Sequence, residues 1–344
     1  MASVGNVTAL PVVDLGEAPG VLRRRLREAA HEVGFFYLKG HQIPAALTAG
    51  VLKAARALFA LPEADKDAIA MVRSPHFRGY TRLGGELTRG EVDWREQIDI
   101  GPQRSPIGGP GKPDYLWLQG PNQWPAALPE LPGIIDEWDA ALSGVARTLL
   151  GHWAASLGSP PDVFESAFAG APATLIKMIR YPARAATAQG VGPHKDSGVL
   201  TLLLAEPGAR GLQVRRRGST QWIDVPGVDG AFVVNIGELL EVATRGYLRA
   251  TEHRVHLEGA ERISIAYFFN PRLDAQVPML SLPEELGARA ESHPDPSDPI
   301  YSVYGRNAWK SRLRAHPDVA AAHGYAVGRL DGENSFPGRG NEVR

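Results

Sequence analysis

Seven short apolar runs, each four to seven residues long, occupy the chain between residues 174 and 269: Thr174–Arg180, Val199–Leu204, Leu212–Arg215, Trp222–Val225, Ala231–Ile236, His253–Leu257 and Ile263–Phe269. Gly, Pro and polar residues separate them. Runs this short cannot hold isolated helices, but they match the usual length of a β-strand. Many short strands broken by turn formers fold as a sandwich or barrel.

The N-terminal half follows a helical period. Leu22, Leu26, Ala29 or Ala30, and Val33 recur at helical spacing, predicting a helix over Val21–Val33 between short strands at Pro11–Leu15 and Phe35–Leu38. A second helix fits Ala45–Phe59, and Pro62 with Glu63 and Asp65 opens a third. The longest helix is expected over Leu131–Leu157, where Ile135, Trp138, Leu142, Val145, Leu149 and Trp153 form one stripe that packs on a sheet. Between them, Ser74–Pro132 reads as irregular, with eight prolines from Pro102 to Pro132, and part of it is expected to cover a site. Tyr301–Leu313 reads as a helix. Residues 9–130 are thus an N-terminal region, 131–325 a strand-rich core with a C-terminal helix and 326–344 a flexible tail, all best treated as one compact unit.

Composition removes several classes of chemistry. The chain has no cysteine, which rules out disulfides, iron–sulfur clusters and Cys-type zinc, so any metal must be held by His and carboxylate. Among 344 residues, 37 Lys and Arg face 38 Asp and Glu, and the formal charge of -1 gives no bulk attraction to nucleic acid or to an anionic membrane. Met1–Leu10 has no signal-peptide pattern and no stretch approaches a membrane span, so a cytoplasmic protein is expected, as a monomer or weak homo-oligomer. No Walker-type loop or G-x-S-x-G elbow occurs, and the G-x-G at Gly338–Gly340 lies in the tail.

The chemistry concentrates in Gly192-Pro193-His194-Lys195-Asp196-Ser197-Gly198. In an extended strand His194 and Asp196 share a face, with Lys195 on the other, which makes half of a metal site. One more imidazole would complete two His and one carboxylate on one face of an octahedral ion, leaving three positions open. His31, His41, His293, His316 and His323 sit in a predicted helix, a loop or polar C-terminal stretches. The informative pair is His253 and His256 on one strand; they point to opposite faces, and spacing alone does not choose between them. On the next strand, Arg262 and Ser264 share a face, a guanidinium beside a hydroxyl that can grip a carboxylate.

H-K-D, then E-H-R-V with its His 57 residues after Asp196, then R-I-S-I-A-Y-F-F-N-P, in this order, resembles the isopenicillin N synthase-like branch of the iron(II)/2-oxoglutarate-dependent oxygenases. L-P-V-V-D-L-G, H-E-V-G-F-F-Y-L-K-G-H, F-R-G-Y-T, D-W-R-E-Q-I-D-I-G, I-R-Y-P and V-V-N-I-G-E-L-L extend the likeness over roughly residues 9–325. The resemblance implies a mixed α and β fold with a double-stranded β-helix, or jelly-roll, core behind an N-terminal helical layer. It implies that His194, Asp196 and His253 hold Fe(II), leaving His256 aside, and that Arg262, Ser264 and Tyr181 hold 2-oxoglutarate. The activity implied is oxidation of a C–H bond in a small molecule by dioxygen, most simply hydroxylation, with release of succinate and CO2.

Two alternatives come with it. Ile179 stands where plant members carry Asn in N-Y-Y-P, and isopenicillin N synthase shows a similar R-Y-P, which fits an oxidase that needs no 2-oxo acid. A barrel that binds a small ligand without turnover is the other. Asn235, a polar residue in an apolar strand, is expected to make a structural hydrogen bond, and Arg73, Arg78, Arg82, Arg89 and Arg95 are expected to be mostly a solvated basic surface.

Overall fold

The computed structural model describes residues 9–183, 189–291, 295 and 298–326. The proposed tail beyond residue 326 and His293 lie outside them. The strands are β1 (Val12–Asp14), β2 (Phe35–Lys39), β3 (Gly79–Thr81), β4 (Glu86–Thr88), β5 (Glu91–Asp93), β6 (Glu96–Ile100) and β7 (Leu175–Tyr181), then β8 (Gln189–His194), β9 (Leu200–Ala205), β10 (Leu212–Arg215), β11 (Ile223–Asp224), β12 (Phe232–Ile236), β13 (Glu252–His256) and β14 (Arg262–Phe269). Eight form a major sheet in the order β1-β2-β12-β9-β14-β7-β6-β3, four a minor sheet in the order β11-β10-β13-β8, and β4-β5 is a separate hairpin. Apart from the parallel pair β1 and β2, these strands run antiparallel to their neighbours. This is the double-stranded β-helix, with the helical layer on the major sheet.

Alternation along each strand sorts the side chains into two cores. On β2, Phe36 and Leu38 join Leu22, Leu26, Trp138 and Trp153 between the sheet and the helices, while Phe35 and Tyr37 face the space between the two sheets. On β14, Ile263 and Ile265 go outward to the helices. Arg262, Ser264 and Ala266 therefore go inward. The helix Leu131–Ser156 buries Ile135, Trp138, Leu142, Leu149 and Trp153 as expected, each contributing about 1.5–3 kcal/mol of burial free energy. Trp153 Nε1 donates to the Leu26 carbonyl at 3.1 Å, which ties this helix to Pro19–Glu32.

The expected irregular stretch from Ser74 departs from its sequence reading. It holds β3 and β6, which extend the major sheet beyond β7, and the β4-β5 hairpin. Three-residue strands leave too little pattern to read. In β6, Glu96, Gln97 and Asp99 are buried along with Ile98 and Ile100, and Glu96 and Asp99 meet Lys66, Arg180 and Arg312 inside the protein rather than water. The basic-surface expectation fails for two residues: Arg78 and Arg95 are buried. Arg82 remains exposed and pairs with Asp67, and exposed Arg89 lies 3.6 Å from Glu252. No helix among the described residues is long and apolar enough to cross a membrane.

Candidate active site

The minor sheet supplies two imidazoles. β13 pairs with β8 so that His253 lies directly opposite His194, and their ring centroids are 4.2 Å apart. His194 Nδ1 lies 2.8 Å from the Gly192 carbonyl and His253 Nδ1 3.1 Å from the Thr251 carbonyl. A carbonyl only accepts, so each Nδ1 carries the proton and each Nε2 keeps a free lone pair. Burial, reinforced by His253, draws His194 down to about 3, so it is neutral and ready to ligate near neutral pH.

Asp196 comes from the chain that leaves β8 for the major sheet. β8 ends at His194, so strand alternation is not what aims Asp196 at the imidazoles; the crossover between sheets does this. Asp196 Oδ1 lies 3.7 Å from His194 Nε2 and 3.8 Å from His253 Nε2. Its Oδ2 accepts from Thr201 Oγ1 at 2.6 Å and Asn235 Nδ2 at 2.8 Å. Thr201 and Asn235 are opposite one another on β9 and β12, so one register pair of the major sheet fixes the carboxylate. Although burial opposes its charge, the imidazoles and these two hydrogen bonds hold Asp196 below the usual carboxylate range. Ligand atoms of His194, Asp196 and His253 lie within 4.8 Å of one another, close enough to share a metal ion. His256 pairs with Gln189 and stays outside this group.

Tyr181, Arg262 and Ser264 line the same cavity of about 1690 Å³ as the three candidate ligands. Arg262 is opposite Tyr181 on β7, and Ser264 opposite Ile179. The Arg262 guanidinium stacks over the Tyr181 ring with Cζ 4.2 Å from its centroid. Arg262 is 7% exposed, and its Nη2 has no hydrogen-bond partner among the described residues. Burial pulls its pKa down, although Tyr181 and two glutamates oppose this. A buried cation with an unused donor fits the remote carboxylate of a dicarboxylic 2-oxo acid, and the keto-acid end can reach a metal with three open positions.

Sequence reasoning missed the ionic wall beside this site. Glu86 accepts from Arg95 at 2.5 Å and Lys177 at 2.7 Å, and Asp99 pairs with Arg312 at 2.5 Å. Charges scattered over three strands, a connection and a C-terminal helix carry no periodic signal. Thr201 was missed too, though a lone polar residue in Val199-Leu200-Thr201-Leu202-Leu203-Leu204 is the same signal that singled out Asn235.

Residues 10–127 match the family described as non-haem dioxygenase in morphine synthesis N-terminal, and residues 173–271 match the 2OG-Fe(II) oxygenase superfamily. The chain is 34% identical over 336 residues to a 2-oxoglutarate-dependent dioxygenase, frbJ, of Dothideomycetidae sp. (strain 11243), covering 90% of each. It is 34% identical to homoarginine-6-hydroxylase 2-ODD-C23 of Glycine max, covering 79% of this chain and 88% of that one. Among solved structures, a full-length Neurospora crassa protein in complex with alpha-KG superposes with a TM-score of 0.70 over 89% of this chain and 98% of that one, at 23% identity. JOX2 in complex with 2OG, Fe and JA gives 0.67 at 25% identity, over 91% and 89%. Sequence, fold and the His-Asp-His group thus agree, and the chain belongs to the 2OG-Fe(II) oxygenase superfamily as a 2-oxoglutarate-dependent dioxygenase.

Proposed function

We propose that His194, Asp196 and His253 ligate the iron, that Arg262, Ser264 and Tyr181 hold 2-oxoglutarate, and that the enzyme hydroxylates a C–H bond of a small molecule. The observation that carries this reading is the buried, unpartnered Nη2 of Arg262 in the cavity lined by the three ligands. Iron and 2-oxoglutarate held by these residues would supply the activation of dioxygen for C–H oxidation, with one oxygen atom going to succinate, the other to the substrate, and CO2 released.

The chain's own residues prepare that step. The Nδ1 bonds to backbone carbonyls fix the orientation of both imidazoles and leave Nε2 of each facing Asp196. Thr201 and Asn235 occupy Asp196 Oδ2, leaving Oδ1 for the metal. Ser264 adds a hydroxyl beside the Arg262 fork, and the Tyr181 ring holds the guanidinium flat. Several relatives bear the name homoarginine-6-hydroxylase, so L-homoarginine is the first substrate to assay.

The test is oxygen uptake by the iron-reconstituted protein against a small-molecule library. Uptake that requires 2-oxoglutarate, releases succinate and disappears in Asp196→Ala supports the reading. Substrate-dependent uptake without any 2-oxo acid would replace it with an oxidase of the isopenicillin N synthase type.

A further inference from the structure

We propose that Arg78 is the substrate-anchoring residue of this site and that it selects small molecules bearing a carboxylate. The inference rests on the oxygenase reading and deepens it by naming the substrate class. Arg78 immediately precedes β3, is 7% exposed and lines the cavity that holds the His-Asp-His group.

Among the described residues, its charge is the one left over on this wall. Arg95 pairs with Glu86 at 2.5 Å and Asp93 at 3.5 Å, Lys177 with Glu86 at 2.7 Å and Asp99 at 3.6 Å, and Arg312 with Asp99 at 2.5 Å. Each carboxylate is already taken. Among the described residues Arg78 has no carboxylate within ion-pair distance; Nη2 donates to the Leu118 carbonyl at 3.0 Å and Nε has no partner. A buried charge without a counter-ion costs several kcal/mol, and a ligand anion would offset that cost.

The guanidinium is also held in place. It lies on Gly101, where an added Cβ would sit 2.2 Å from Nη2 and 2.3 Å from Cζ. Gly101 is itself pinned by Asn122, which accepts from its N–H at 3.0 Å and donates to its carbonyl at 2.7 Å. A fork fixed in this way matches a planar carboxylate with little loss of side-chain freedom.

Strand register separates this fork from the one at Arg262. Arg262 is level with Tyr181 at one end of β7. Thr201, which holds Asp196, is level through Phe268 with Leu175 at the other end, and Gly79 is level through Asp99 with Lys177. Strand register thus puts Arg78 toward the Leu175 end of β7 and Arg262 at the Tyr181 end, so the two guanidiniums enter the cavity from different places. Tyr304 lines the same cavity. The cavity of about 1690 Å³ that Arg78 shares with His194, Asp196 and His253 has room for a carbon skeleton with its carboxylate on Arg78 and a C–H bond toward the iron.

The test uses the iron- and 2-oxoglutarate-loaded protein under anaerobic conditions, titrated with a library of carboxylic acids and their primary amides, including L-homoarginine and its amide. Binding is read from perturbation of the visible band of the loaded protein. Acids are expected to bind about 30-fold or more tightly than their amides, as loss of a buried charge partner implies. Arg78→Gln is expected to erase that difference while 2-oxoglutarate affinity stays within about twofold, and Arg78→Lys to restore part of it. Amides that bind as well as acids, acid binding unaltered in Arg78→Gln, or no acid binding at all would each overturn the proposal. If Arg78→Gln does not fold, Gly101→Ala displaces the fork with its charge intact, and the same loss is expected. Failure of the oxygenase reading is a separate result, since the wild-type protein would then form no visible band with iron and 2-oxoglutarate.

Discussion

Asn235 Nδ2 donates to Asp196 Oδ2 at 2.8 Å and thereby leaves Oδ1 facing both imidazoles. Residues that orient a metal ligand typically change affinity 10- to 100-fold when removed. Asn235→Ala is therefore expected to weaken Fe(II) binding by about that factor, with the fold retained because Thr201 still holds the same oxygen. Anaerobic titration against a competing chelator measures it, and unchanged affinity would reduce Asn235 to a packing role.

Arg262→Met should separate binding from stability. It removes the fork but keeps an apolar stem on Tyr181. The dissociation constant for 2-oxoglutarate is expected to rise about 100-fold, toward the lower end of the 2–5 kcal/mol range for losing a buried charge partner. The ligand-free protein is expected to gain about 1 kcal/mol, because an uncompensated buried charge has gone. Calorimetric titration and thermal unfolding read the two effects, and a variant that lost stability together with affinity would place Arg262 in the scaffold.

Glu86 on β4 ties the hairpin to Arg95, Lys177 and His316. Burial opposes its charge, but Arg95 and Lys177 hold its carboxyl well below the ordinary 4.5. A depressed carboxylate contributes fully above its unfolded pKa and loses that contribution as pH falls through the folded value. Stability should therefore fall steeply below about pH 4.5 in the wild type. Glu86→Gln should cost about 3–5 kcal/mol at neutral pH and flatten that acid limb. Denaturant titrations at pH 7 and pH 4 check both; an unchanged acid limb would assign it to other carboxylates.

Glu238 behaves in the opposite sense. Burial, reinforced by Glu241 and Asp298 against the pull of Lys195, pushes its carboxyl up to about 7. The folded state then holds a proton that the unfolded state has lost, so stability falls as pH rises from about 4.5 to 7 and levels above it. Glu238→Gln is expected to match the wild type at pH 5 and to exceed it at pH 8, by at most about 3 kcal/mol. Equal unfolding midpoints at pH 8 would contradict this.

Legibility in the sequence followed periodicity. Apolar alternation marked β9, β10, β12, β13 and β14, and the helical stripe from Ile135 to Trp153 marked the long helix, because each buries one face against one partner. The candidate ligands were legible as motifs, although His253 could be preferred over His256 only through family resemblance until the β8-β13 register brought it opposite His194. β6 was illegible because Glu96, Gln97 and Asp99 find their partners inside the protein. Arg78 and Arg95 looked like surface for the same reason: a sequence shows a charge and does not show the carboxylate or the empty space it meets in the fold.

The most direct measurement is anaerobic titration of the Fe(II)-loaded protein with 2-oxoglutarate, followed in the visible region. A weak charge-transfer band that saturates at one equivalent, fails to form in Asp196→Ala and needs far more 2-oxoglutarate in Arg262→Met is the expected result. A wild-type protein that takes up iron but shows no band, or a band unaffected by both substitutions, would contradict the assignment of His194, Asp196, His253 and Arg262 to one working centre.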